Sequence, residues 1–152
     1  MMAEIINIRR FGAAACGVAL LLVGAAIAQA QATERSVWSG VYTAEQAGRG
    51  KVAYDEQCAA CHGDSLTGGD VAPALSGSAF LNNWNNTSAG DLFERIHTTM
   101  PQSAPGSLSG KTVSDIEAYM FQANGFPAGE VQLPPSQPMM AGTKIVASKP
   151  AG

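Results

Sequence analysis

The chain has 152 residues, enough for one domain with tails, and carries 9 Lys and Arg against 12 Asp and Glu, a formal charge of −3. No basic run and no Lys/Arg stripe with interleaved aromatics occurs, which argues against nucleic acid as a partner. Hydrophobic residues make up 46% and charged residues 14%, so the composition is neither that of a disordered chain nor that of a multi-span membrane protein.

Residues 1–30 stand apart from that average. Arg9 and Arg10 precede an apolar run from Phe11 to Ile27, which ends in the small-x-small sequence Ala28-Gln29-Ala30. A charged start, a hydrophobic middle and such an end have the form of a secretory signal peptide, expected to be cleaved after Ala30 or, second, after Ala32. The alternative is an uncleaved N-terminal anchor, since the run is nearly long enough to span a bilayer. The residues flanking the Arg pair match a twin-arginine signal poorly. Cys16 lies within the apolar run, without the leucine of a lipoprotein signal, and leaves with it. Cleavage removes Arg9, Arg10 and Glu4, which leaves seven basic and eleven acidic side chains, a net charge of about −4, and two cysteines, Cys58 and Cys61. An exported, periplasmic acidic domain is expected, with no stable membrane insertion once the signal is gone.

Residues 31–42 show no periodicity and are expected to form an N-terminal arm. Thr43 and Gln46 have the T-x-x-Q spacing of a capping box and open a helical pattern. Ala47, Gly50, Tyr54 and Cys58 recur at helical spacing and share one face. A glycine inside a helix costs about 1 kcal/mol relative to alanine, so Gly50 points to close approach of another backbone.

The helix runs into C-x-x-C-H, Cys58 to His62. Three chemistries use such a spacing. A redox disulfide of the thioredoxin kind sits at a helix start after a strand in a βαβ unit, whereas no strand pattern precedes Cys58. A closed zinc site needs four ligands, and beyond Cys58, Cys61 and His62 the chain offers only His97 and carboxylates. Covalent attachment of c-type haem uses the whole motif. Two thiols on one turn can form thioethers with the two vinyl groups on one porphyrin edge, and the next residue brings its imidazole to the iron. One haem c per chain is the cofactor this favours, with Cys58 and Cys61 as attachment points and His62 as a metal ligand.

Residues 63–86 are rich in Gly, Ser, Asn and Pro and are predicted to be one long loop. A loop of that length in a small domain is expected to wrap something. Ser88 and Asp91 cap a second helix containing Leu92, Phe93 and Ile96, which stops before Pro101. Thr112 and Asp115 are predicted to open a third, with Val113, Ile116, Tyr119, Met120 and Ala123 on its apolar face and Asn124-Gly125 at its end. From Pro127 to the C-terminus, prolines and small residues without period predict a flexible tail. The expected domain is thus 43–126, between the arm 31–42 and the tail 127–152. So small an all-helical unit needs a staple, and a tethered haem would serve.

Over residues 43–126 the sequence resembles class I monohaem cytochromes c. Gly50, Tyr54 and Cys58 are similar to that family's N-terminal helix pattern, and Tyr119 to the C-terminal helix aromatic that packs across the glycine. The resemblance implies an all-α class I cytochrome c fold, three or more helices and long loops around one covalently bound haem. Ala72–Leu75, "APAL", resembles the segment whose proline carbonyl accepts a hydrogen bond from the proximal histidine, which would make Pro73 the residue fixing the His62 tautomer. Met100, directly before Pro101, stands where the family places its axial methionine. His97 is a rival ligand one turn inside the helix and is expected to face solvent; Met120 is expected in the core, and Met139 and Met140 reach the iron only if the tail folds back. Trp84, in "LNNWNN", is a candidate donor to a haem propionate and equally a candidate core tryptophan.

With both axial positions filled, the implied function is one-electron transport and not catalysis at the metal. The stretches around Asp91–Pro101 and Val113–Gly129 look closest to small cytochromes associated with quinoprotein alcohol dehydrogenases. Redox partner proteins, a quinoprotein dehydrogenase as donor and a terminal oxidase or other cytochrome as acceptor, are implied by that resemblance alone. The alternatives are a fixed subunit of a dehydrogenase complex, docked through its tail, and a haem protein with a labile sixth ligand that binds small gases or peroxide.

Overall fold

The structure, a computed structural model, describes residues 35–151. The chain divides into a unit of residues 1–30 and a unit of residues 31–152, and every described residue belongs to the second. The expected signal peptide and its cleavage site lie outside the described residues.

Among the described residues the fold is all-α apart from one short pair of strands. In chain order the elements are β1 (Arg35–Ser36), α1 (Ala44–Gln57), α2 (Ala59–His62), α3 (Gly77–Trp84), α4 (Ala89–Thr99), α5 (Gly110–Ala123), α6 (Gln137–Met140) and β2 (Thr143–Lys144). A 3-10 turn, Val37–Ser39, follows β1.

Helix α1 starts where the Thr43 hydroxyl accepts a hydrogen bond from the Gln46 amide at 3.2 Å. Only half of the expected capping box forms, because the Gln46 side chain turns away to donate to the Leu133 carbonyl and accept from the Leu133 amide. In α4 the box is complete: Ser88 and Asp91 bond each other's backbone amides at 3.0 Å. Helix α5 begins earlier than the sequence suggested. Ser109, not Thr112, is its cap, accepting from the Thr112 amide at 3.1 Å.

Helices α1 and α5 cross at Gly50, where an added β-carbon would collide with the Asp115 carbonyl. Removing one side chain lets the two backbones touch, and the neighbouring rings of Tyr54 and Tyr119 then pack with centroids 5.4 Å apart. Asp115 also closes the crossing electrostatically, accepting hydrogen bonds from Arg49 at 2.9 Å and Lys111 at 2.6 Å. The side chains packed beneath include Tyr54, Phe80, Leu92, Ile116, Met120 and Phe121.

Three sequence expectations are corrected. The long loop 63–86 contains α3, whose Phe80 is fully buried. No side-chain bond caps this helix, and it is held by burying Phe80, a tertiary contribution invisible to local signals. The arm is not free, since Val37, Val41 and Tyr42 are buried. Nor do residues 127–151 form a flexible tail. They fold back over the helices, pair β2 in parallel with β1, and bury Leu133, Met140 and Ile145. Each buried side chain of that size contributes about 1.5–3 kcal/mol towards holding the segment down.

Candidate functional site

The helix containing Tyr54 does not continue straight through C-x-x-C-H. It ends at Gln57, and Cys58, with φ −127° and ψ −38°, is the joint to α2. The break turns both cysteines and the histidine towards one cavity of about 510 Å³. The Cys58 and Cys61 thiols are not joined to each other. Tyr54 stabilises the turn after the motif, its hydroxyl donating to the Gly63 carbonyl at 2.7 Å.

The His62 ring, 9% exposed, lies with Nδ1 2.8 Å from the Pro73 carbonyl oxygen. A carbonyl only accepts, so Nδ1 carries the proton and Nε2 has its lone pair available to a metal. The Pro73 segment is held in turn by backbone bonds from Leu75 to the Leu66 carbonyl and from Gly69 to the Ala72 carbonyl.

The opposite part of the lining comes from α4 and α5. Leu92, Arg95, Ile96 and Met100 fall at i, i+3, i+4 and i+8 and all reach the cavity, as do Ile116 and Met120 of α5. Met100 is the C-cap of α4, its amide still bonded to the Ile96 carbonyl at 3.0 Å while its backbone is already extended. Trp84 at the end of α3 also lines the cavity, half-buried and 6.4 Å from Phe80 between ring centroids. The other tryptophan, Trp38, spends its indole N–H on the Val146 carbonyl at 2.9 Å.

All six residues singled out by sequence, Cys58, Cys61, His62, Pro73, Trp84 and Met100, therefore line one cavity. His97 does not; it is half-buried, with its ring stacked on Phe93 at 5.4 Å. The tail does fold back, but Met139 of α6 is exposed and Met140, its last residue, is buried, and neither lines the cavity. Sequence reasoning missed Arg95 as a lining residue and gave Met120 no place at the site. The i, i+3, i+4 pattern from Leu92 was the available signal for Arg95.

The donor set discriminates among the three chemistries of C-x-x-C-H. Burial, and then the neighbouring Cys61, push the Cys58 thiol up to about 11. A dithiol used for redox catalysis needs the opposite shift. Among the described residues no three His, Cys, Asp or Glu side chains are grouped so that they could hold a metal ion by themselves, which a closed zinc site requires. A large, mainly apolar cavity with two thiols at its edge, an imidazole of fixed tautomer and a thioether fits a haem.

The family comparison agrees with the donor set. A family model described as cytochrome c oxidase, cbb3-type, subunit III matches residues 45–120, half of the chain. No curated protein matches. One solved structure, the sulfane dehydrogenase SoxCD from Paracoccus pantotrophus, is 21% identical with a TM-score of 0.44 over 59% of this chain and 53% of that one. The chain thus spans about half the length of that structure's chain.

Proposed function

The chain belongs to the family described as cytochrome c oxidase, cbb3-type, subunit III, which makes it a c-type cytochrome, an electron-transfer haem protein, and we propose that it is an exported one-electron carrier in which His62 and Met100 would ligate the iron. The observation that carries this reading is the 2.8 Å bond between His62 Nδ1 and the Pro73 carbonyl, inside a cavity that Cys58, Cys61 and Met100 also line.

The haem supplies the one-electron couple. Cys58 and Cys61 would hold it by thioether bonds. Pro73 keeps His62 in the tautomer that presents Nε2 and makes that nitrogen a stronger donor. Met100 offers a soft thioether, which favours ferrous iron and raises the potential relative to a second imidazole. Arg95 at the cavity rim is a cation suited to a carboxylate of the cofactor, and Trp84 can donate its indole N–H there. Leu92, Ile96 and Ile116 give the cavity apolar walls, which would limit the access of water to a cofactor held there.

The finer proposal is a periplasmic shuttle, one haem per chain, related to the small cytochromes that serve quinoprotein alcohol dehydrogenases. The signal-like residues 1–30 support export, and among the described residues no helix is long and apolar enough to cross a membrane. The net negative charge favours salt-sensitive docking to neutral or basic partner surfaces. The tail packs on its own domain, which speaks for a free carrier over one docked through that tail.

Visible spectra of the oxidised and reduced protein, followed by CO, test the reading. A low-spin ferric spectrum with an iron–sulfur charge-transfer band and no reaction with CO is expected. Ready CO binding would replace the carrier by a haem protein with an open or labile sixth position.

A further inference from the structure

The family match ends at residue 120, yet the chain continues as a folded strap over residues 127–147. The Gly129 amide bonds the Tyr42 carbonyl at 2.7 Å, and Leu133 exchanges two hydrogen bonds with the Gln46 side chain. Beyond these anchors the strap reaches the helix that carries Met100.

Its contacts there concentrate on the residues that lead into α4 and on its first turn. The Asn86 amide bonds the Ile145 carbonyl at 2.8 Å, and the Ile145 amide bonds the Thr87 carbonyl at 2.9 Å. Ser88 bridges to Lys144. At Gly90 the backbones lie so close that a β-carbon would stand 2.6 Å from the Gln137 carbonyl oxygen and 3.0 Å from the Ala141 amide nitrogen. Met140 of α6 is fully buried. The strap also touches the first turn of α5, where a β-carbon on Gly110 would stand 2.7 Å from the Pro135 carbonyl oxygen. Residues 100–109, with Met100 at their head, are thus bounded by two helices whose starts are pinned by one segment.

We propose that the strap positions Met100 over the cavity, with Gly90 and Met140 as positioning residues acting through α4. From Gly90 to Met100 is ten residues of α4 and its cap, a rigid lever of about 15 Å. A tilt at its pinned end is carried to its free end, where Met100 is the last helix-bonded residue. The inference rests on Met100 being the sixth ligand.

The test uses the full haem-loaded protein and the variants Gly90→Val, Gly90→Ala, Met140→Ala and Met140→Leu. Each is followed by far-ultraviolet circular dichroism, by the ferric iron–methionine charge-transfer band and by CO binding after reduction. Gly90→Val and Met140→Ala are expected to weaken the band and bind CO at least about tenfold more readily than the parent, at temperatures where the helical signal is native. Met140→Leu, which refills the same volume, is expected to behave as the parent. If Gly90→Val does not fold, Gly90→Ala and Met140→Ala decide. Lower melting temperatures with an intact band and no CO binding would show a purely structural strap and overturn the proposal. A parent protein that itself lacks the band would instead overturn the Met100 assignment, and the positioning role with it.

Discussion

Gly50 of α1 lies directly against the Asp115 carbonyl of α5, with no space for a β-carbon between them. This contact sets how closely the two longest described helices cross, and both helices contribute to the cavity, α1 through the Cys58 joint and α5 through Ile116 and Met120. Gly50→Val is expected to force the crossing apart. Backbone cannot yield as a side-chain tip can, so the loss is expected at the upper end of overpacking costs, about 3 kcal/mol. Urea unfolding of the haem-loaded protein measures it, and a loss below about 0.5 kcal/mol would show that the helices can separate freely.

Two methionines line the cavity, and their contexts assign them different roles. Met100 caps α4 at the start of a loop, whereas Met120 is 1% exposed within α5. Met100→Ala is expected to lower the reduction potential and admit CO with little loss of helix content. Met120→Ala is expected to cost about 2–5 kcal/mol of stability while leaving CO excluded. A reversed outcome, CO binding only after Met120→Ala, would move the sixth ligand to α5.

Glu117 is fully buried on α5, and neither carboxylate oxygen has a hydrogen-bond partner among the described residues. Burial pushes its carboxyl well above the usual carboxylate range. The folded state therefore holds this proton at pH values where the unfolded chain has released it. Its contribution is fully present below the unfolded value of about 4.3 and is lost as pH rises towards the folded one, at about 1.4 kcal/mol per pH unit. Glu117→Gln is expected to remove that slope, so that the variant gains on the parent as pH rises above the unfolded value. Parallel urea midpoints above that value would contradict a buried, protonated Glu117.

Asp115 responds in the opposite direction. Burial raises its carboxyl, but hydrogen bonds and charge from Arg49 and Lys111 outweigh that and leave it below the usual range. Its stabilisation is present above the unfolded value and is lost as pH falls through the folded one. Asp115→Asn is expected to cost about 1 kcal/mol near neutrality, modest because Arg49 and Lys111 face solvent, and to flatten the acid limb of the stability profile. Thermal unfolding from about pH 3 to about pH 6 checks it.

Local chemistry was legible in the sequence wherever neighbours along the chain make the interaction. Ser88 and Asp91 cap each other across three residues, and the spacing of Cys58, Cys61 and His62 limits the motif to three chemistries, of which it favours haem attachment. Gly50 was legible for a different reason: a glycine in a good helix pattern is costly unless another backbone needs the space. The same logic applied to Gly90 would have required knowing that a partner existed, because nothing between residues 127 and 147 has a helix or strand period.

Only the tertiary structure decided that residues 127–147 are a strap, that α3 forms around Phe80, and that Arg95 and Met120 share a cavity with His62. Each depends on contacts between residues far apart in the chain, such as Gln46 with Leu133 and Gly90 with Gln137. Such contacts stabilise a segment by burying it, and burial is a property of what lies opposite. The sequence by itself determined a helical domain with a C-x-x-C-H motif and a nearby methionine before proline. What packs against the start of the helix that carries that methionine is decided by the far end of the chain.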